Sequence, residues 1–247
     1  MKCVNCSTAF ESRFCPHCGQ PAHTVRITGS YVLHEVPHSI LHVDKGLFYT
    51  LKELFLRPAS MIAGYLAGQR AKHFKPLAYV VILSAFSSFV AHWVREYLEA
   101  HDDLASITLP RNGVNVFIAS VAPFFAHYQS VFYFLMIPII SLATWTFFHK
   151  RYNYWEHVVV NTFLTAQFNL LLVVGFAFSL WNEGRFSLTP MLVLFFIYLS
   201  VIYSRLFAEP PAKRAFIGRT LAAILSVGLL YITGLSITGM MTPWWGW

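Results

Sequence analysis

The sequence predicts an all-α polytopic membrane protein, with about five transmembrane helices preceded by a small N-terminal zinc ribbon and interfacial amphipathic helices. Three observations predict this class. Of the 247 residues, 56% are hydrophobic and only 12% are charged, about half the ~25% charged share of a soluble domain. Mean hydropathy is +0.53. Apolar runs long enough to cross a bilayer recur after residue 76, while all four cysteines fall within the first 18 residues. Three regions follow: a four-cysteine ribbon at 1–22, cytoplasmic and interfacial amphipathic helices at 23–75, and a five-helix transmembrane domain at 76–247.

The ribbon comes first. Cys3, Cys6, Cys15 and Cys18 are spaced C-x2-C-x8-C-x2-C, followed by Gly19. Two CxxC hairpins can place four thiolates tetrahedrally around one Zn²⁺ at about 2.3 Å each. Pro16 and Gly19 suit the tight turn this requires. About 20 residues hold no core of their own, so metal binding would supply the folding energy. Two disulfides are the competing reading. The polar opening residues lack the apolar core of a secretory signal, so a reducing compartment, and hence the metal, is expected. A site closed by four thiolates is structural. His17, between the second pair, is expected on the surface rather than as a ligand.

The stretch His34-Glu35-Val36-Pro37-His38 matches H-E-x-x-H, in which two histidines one helical turn apart hold zinc and the glutamate acts as general base. Pro37 argues against that geometry, because proline fits a helix only in its first turn. A helix is expected to begin there and run to Val43, leaving His34 and Glu35 outside it. A second helix is expected over Leu47–Leu56, with Leu47, Leu51, Leu54 and Phe55 on one face. Pro58 ends that helix or starts the next, whose apolar face is Met61, Ile62, Tyr65 and Leu66. The basic stretch GQRAKHFKP follows, with Arg70, Lys72 and Lys75. These helices are too short to span a bilayer. Amphipathic helices with basic flanks lie in the headgroup layer; a small soluble helical domain packed on itself is the alternative.

Apolar runs of spanning length occur at 77–95, 128–148, 158–180, 189–207 and 217–240. Residues 114–126 read as a separate interfacial helix, because Pro123 and the polar residues 127–129 interrupt the run. Residues 1–75 carry nine Lys and Arg, and Lys150, Arg151, Arg205, Lys213, Arg214 and Arg219 lie on alternate connections. The intervening segment 95–127 holds two basic and four acidic side chains. By the positive-inside rule the N-terminus is cytoplasmic and the C-terminal TPWWGW lies outside. The net charge of +7 is thus assigned to the membrane surface, and no nucleic acid is expected. No internal repeat is visible.

Within the spans, the third is the polar one. His157, Asn161, Thr165 and Asn169 recur every four residues and form one stripe, with Glu156 at its cytoplasmic mouth; Thr162 and Gln167 lie off that line. Polar groups at such depth face protein or water. Interhelical hydrogen bonding and a lined pathway both remain open. Gly218, Ala222 and Ser226 make a small-residue face on the fifth span, and Ser84, Ser87, Ser88 and His92 are scattered along the first.

Several segments together resemble bacterial membrane proteins of the domain of unknown function 3667. They are CVNCSTAFESRFCPHCGQ at the start, RIT at 26–28, HSILHVDKGLFYTLKELFLRP at 38–58, GYLAGQRAKHFKP at 64–76 and YWEHVVVNTF at 154–163. Ala59 stands where the family usually has glycine. The family pattern runs through His38, Asp44, Lys45 and Gly46 but not His34, which marks the H-E-x-x-H match as accidental. The resemblance implies a zinc-ribbon protein of the bacterial inner membrane and no established activity. Two classes of function follow. One is a non-enzymatic membrane adaptor whose ribbon docks a protein partner. The other is an embedded activity: transport or lipid handling along the third span, or, least favoured, a metalloprotease at His34, Glu35 and His38. No catalytic residue is assigned, and the oligomeric state is open.

Overall fold

The computed structural model describes residues 1–32, 46–100, 129–181 and 188–207, together with Gly228. The HEVPH segment, the helix expected at 37–43, residues 114–126, the fifth span apart from Gly228, with its small-residue face, and the C-terminal tail lie outside the described residues. The helices, in chain order, are α1 (Leu47–Leu56), α2 (Pro58–Leu66), α3 (Pro76–Ala100), α4 (Gln129–Phe148), α5 (Tyr154–Trp181) and α6 (Leu188–Leu206). Among the described residues no strand forms; the ribbon contributes two isolated β-bridges.

The ribbon corrects one reading of the sequence: it is an internal repeat of twelve residues. The Cys3 N–H donates to Thr8 O, and the Cys15 N–H to Gln20 O. Ser7 N–H bonds Cys3 O as Gly19 N–H bonds Cys15 O, and Phe10 N–H bonds Met1 O as Ala22 N–H bonds Arg13 O. The bridges Lys2–Ala9 and Phe14–Pro21 obey the same offset. Side-chain identity hid the repeat, because only the cysteines are shared at most of these positions, whereas the backbone bonds need no particular side chain. The left-handed residue that closes each knuckle is also duplicated, at Ser7 (φ 61°) and Gly19 (φ 72°). Glycine adopts that conformation freely, and serine does so at a cost.

α1 and α2 meet at Arg57. Its guanidinium reaches back one turn to Glu53 at 2.8 Å, and Pro58 begins α2, where its missing N–H costs nothing. α2 ends in a Schellman motif: Gly68 (φ 104°) donates to Tyr65 O and Gln69 to Gly64 O. The apolar face expected on α1 holds for Leu54, which is fully buried, but not for Phe55, which is 71% exposed. Phe55 and Phe48 lie two turns apart on the outward side. Met61, Ile62, Tyr65 and Leu66 are all buried. Gly46 must be glycine for a steric reason, since a Cβ there would stand 2.9 Å from Lys72 O.

α5 is the central helix, packing along α3, α4 and α6, while α2 leans on α6. It starts at Tyr154, four residues before the expected run, because Asn153 and Glu156 form a reciprocal capping box. The Glu156 N–H donates to Asn153 Oδ1 at 2.9 Å, and the Asn153 N–H to Glu156 Oε2 at 2.7 Å. One hydrophobic core runs from Ile27, Leu54, Ile62 and Tyr65 through Tyr79 and Phe163 to Tyr203 and Phe207. The amphipathic lead-in therefore shares its core with the long helices.

Among the described residues two helical segments, Pro76–Val94 of α3 and Tyr154–Phe178 of α5, are long and apolar enough to cross a membrane. α4 and α6 carry shorter apolar stretches, Phe134–Phe148 and Met191–Leu206. The outer faces bear Phe86, Phe89 and Trp93 on α3, Leu135 and Leu142 on α4, and Leu194 and Ile197 on α6, all exposed. Asn161, Thr165 and Asn169 of α5 are buried. Apolar groups outward and polar groups inward suggest association with a membrane.

Candidate functional site

Cys3, Cys6, Cys15 and Cys18 are free thiols whose four Sγ atoms lie within 4.8 Å of one another. Cys3 and Cys18 Sγ are 3.5 Å apart, as are Cys6 and Cys15. Disulfide sulfurs stand about 2.05 Å apart, whereas the edge of a tetrahedral zinc–thiolate site is about 3.8 Å. The donors therefore fit a metal ion. The repeat makes the site two-fold: the leading cysteines, Cys3 and Cys15, are buried, and the trailing ones are half-buried. A hydrogen bond with Thr8 Oγ1 at 3.2 Å pulls Cys6 down to about 5, while burial pushes Cys15 up to about 11. A cation at the centre stabilises the anionic form of both, since a coordinating thiol is deprotonated outright.

The ribbon is held against the rest of the chain by side chains that the sequence reading did not single out. Gln20, only 2% exposed, accepts from the N–H groups of Arg70 and Ala71 at 3.1 and 2.9 Å. Its amide donates to Thr24 Oγ1 at 3.1 Å. Gln69 Nε2 donates to Val4 O at 3.2 Å. Just beyond the ribbon, Arg26 donates from Nε and one terminal nitrogen to the two oxygens of Glu156, each at 2.8 Å. The carboxylate is nearly inaccessible, while the Arg26 side chain is largely exposed. Asn153 Nδ2 donates to Ile27 O at 3.0 Å, and Gly29 faces the Trp155 ring so closely that a Cβ would meet it at 2.7 Å. Glu156 therefore caps a helix and anchors the linker that follows the ribbon. Its signal in the sequence was N-x-x-E before an apolar run.

The polar stripe of α5 is gathered into an interhelical network at its upper half. Asn161 Nδ2 lies within hydrogen-bond distance of Thr144 Oγ1 and Ser141 Oγ, at 3.0 and 3.2 Å. Asn161 Oδ1 accepts from Tyr203 Oη at 2.9 Å. His157 Nδ1 is 3.1 Å from Thr144 Oγ1, and its ring stacks on Phe207 at 4.9 Å. Thus α4, α5 and α6 meet at Asn161. Lower on the stripe, Asn169 Nδ2 bonds its own helix at Thr165 O, 3.0 Å away, and its Oδ1 has no partner. Gln167, off the stripe, bonds Tyr79 Oη of α3 at 2.7 Å. Ser141, Thr144, Tyr203 and Tyr79 were not anticipated. Each sits in an apolar helix whose sequence shows no polar periodicity.

Fold and site together define a helical protein that carries a closed four-thiol cluster on a bundle suited to a membrane. Over residues 44–88 the chain matches a family described as Protein of unknown function (DUF3667). The family assignment read from the sequence is shown on that segment, which spans α1, α2, the connection after them and the first half of α3. No curated protein and no solved structure matches the chain.

Proposed function

We propose that the protein is a non-enzymatic membrane adaptor whose zinc-loaded ribbon presents a docking surface on the cytoplasmic side of the bacterial inner membrane. The observation that carries this reading is the clamped ribbon. Its four thiolates close the coordination shell of one structural Zn²⁺, leaving no position for a substrate. Gln20 and Gln69 fix one side of it to the body of the protein. On the ribbon Phe14 stands 60% exposed, a large apolar group on a domain too small to spare it from a core. In this reading five spans carry the body through the bilayer, with the N-terminus inside and the C-terminus outside. The hydrogen bonds that Asn161 makes to Ser141, Thr144 and Tyr203 support a packing role for the third span rather than a transport path.

The test is site-specific photo-crosslinking in cells from position 14, with position 20 as the inward-facing control. A discrete protein adduct at 14, lost in Cys15→Ser, is the expected outcome. Only lipid adducts, or none, at position 14 would count against an adaptor.

A further inference from the structure

A cavity of about 660 Å³ opens between the trailing edge of the ribbon, the start of α1 and the connection that joins α2 to α3. Its walls are of two kinds. Arg70, Lys72 and Lys75 bring cationic groups, and Tyr31, Tyr49 and Tyr65 bring aromatic ones. No carboxylate among the described residues lines it. The nearby Glu53 is already engaged by Arg57, which takes both its oxygens at 2.8 and 2.9 Å. Three cations thus stand around one opening, and none has a carboxylate partner among the described residues.

The arrangement is built rather than incidental. The Arg70 guanidinium is held by Tyr65 O at 3.2 Å and Val25 O at 3.1 Å. It lies over the Tyr31 ring at 4.7 Å and the Tyr65 ring at 5.5 Å. Carbonyls and ring faces orient a guanidinium without neutralising it, so its charge stays available. His73 also lines the cavity. Its buried Nδ1 has no hydrogen-bond partner, and burial holds the imidazole below its usual range, so the neutral ring adds a polar group and no charge. The backbone is locked as well: Gln20 takes the N–H groups of Arg70 and Ala71, and Phe74 N–H donates to Thr50 Oγ1 at 2.7 Å.

We infer that this cavity binds a phosphate-bearing anion, supplied either by a phospholipid headgroup or by a free phosphorylated solute. Fixed guanidinium and mobile ammonium groups together are the donor set that phosphate oxygens select. The volume exceeds what a bare phosphate needs and leaves room for the attached polar group against the tyrosines. The position also fits. Lys75 immediately precedes α3, whose Pro76–Val94 stretch can cross a membrane, and α1 beside the cavity exposes Phe48 and Phe55. On the membrane reading proposed above, a cationic cavity at the end of an apolar helix would lie at headgroup depth.

The experiment uses the zinc-loaded full chain in detergent micelles and isothermal titration calorimetry. The probes are inorganic phosphate, glycerol phosphate, dioctanoyl phosphatidylglycerol and dioctanoyl phosphatidylcholine. The pocket variant is Lys72→Gln/Lys75→Gln, and Lys72→Gln alone serves if the double variant loses zinc or melts early. Lys150→Gln/Arg151→Gln removes the same charge elsewhere. At least one phosphate probe should bind and lose about ten-fold or more in affinity in the pocket variant while changing by less than about two-fold in the control. Selective loss for the soluble probes identifies a solute source, and selective loss for a lipid alone identifies a headgroup. No binding by any probe, or equal weakening in pocket and control variants, overturns the inference.

Discussion

Removing Arg26 or Glu156 should reveal a coupled pair that ties the ribbon linker to the central helix. Glu156 is buried, at 3% exposure, and both its oxygens are taken by Arg26 at 2.8 Å. Hydrogen bonds to a charged group contribute roughly 1.5–3 kcal/mol each. The Arg26 side chain, however, is 63% exposed, so water replaces part of what it gives and the two bonds must be discounted. We expect Arg26→Ala to cost about 1–2 kcal/mol. Glu156→Ala also removes the acceptor of the Asn153 N–H and the negative charge at a helix N-terminus, so it should cost about 2–3 kcal/mol. The double variant should be about as stable as Glu156→Ala alone, because Arg26 then has nothing left to bond. That gives a coupling of about 1–2 kcal/mol. Glu156→Gln, which can still cap Asn153, should fall between the single losses. The assay is a double-mutant cycle on unfolding free energies measured in mixed detergent micelles, with proteolysis of the linker at residues 23–28 as a local readout. Additive single effects, with coupling below about 0.3 kcal/mol, would refute the pair.

Metal analysis of the purified chain should give one zinc per molecule, falling to near zero in Cys15→Ser; two equivalents would contradict a single four-thiolate site. Ser7→Gly should relieve the left-handed backbone and tighten zinc by about two- to five-fold in chelator competition, corresponding to about 0.5–1 kcal/mol. Gly19→Ala should weaken it similarly through backbone strain alone, since a Cβ there has open space around it. Asn161→Leu should destabilise the bundle by about 1–2 kcal/mol by removing its hydrogen bonds to Tyr203, Thr144 and Ser141, as read by denaturant unfolding in micelles. Asn161→Cys should resist a water-soluble maleimide that labels Lys150→Cys; fast labelling would show a wet cavity instead.

Local chemistry wrote the ends of this protein's elements into its sequence. CxxC spacing, Pro58, Gly68 and the N-x-x-E before α5 each act over a few residues, so the knuckles, the start of α2, its Schellman end and the cap of α5 follow from neighbours along the chain. The twelve-residue repeat is local too, yet it went unseen, because it is carried by backbone hydrogen bonds that leave almost no side-chain trace. Four-residue periodicity placed His157, Asn161, Thr165 and Asn169 on one face of α5. It could not say what stands opposite, because Ser141, Thr144 and Tyr203 reach that face only through the packing of three helices. Phe55 shows the same limit: helical spacing groups it with Leu54, but neighbouring helices decide which edge of an apolar face is covered. The Arg26–Glu156 fork joins residues 130 positions apart, and the cationic cavity draws on the ribbon edge, α1 and the segment before α3. Such contacts depend on where separate elements come to rest, a choice made by burial of the shared core and by the pairing of buried polar groups, and only the tertiary structure records it.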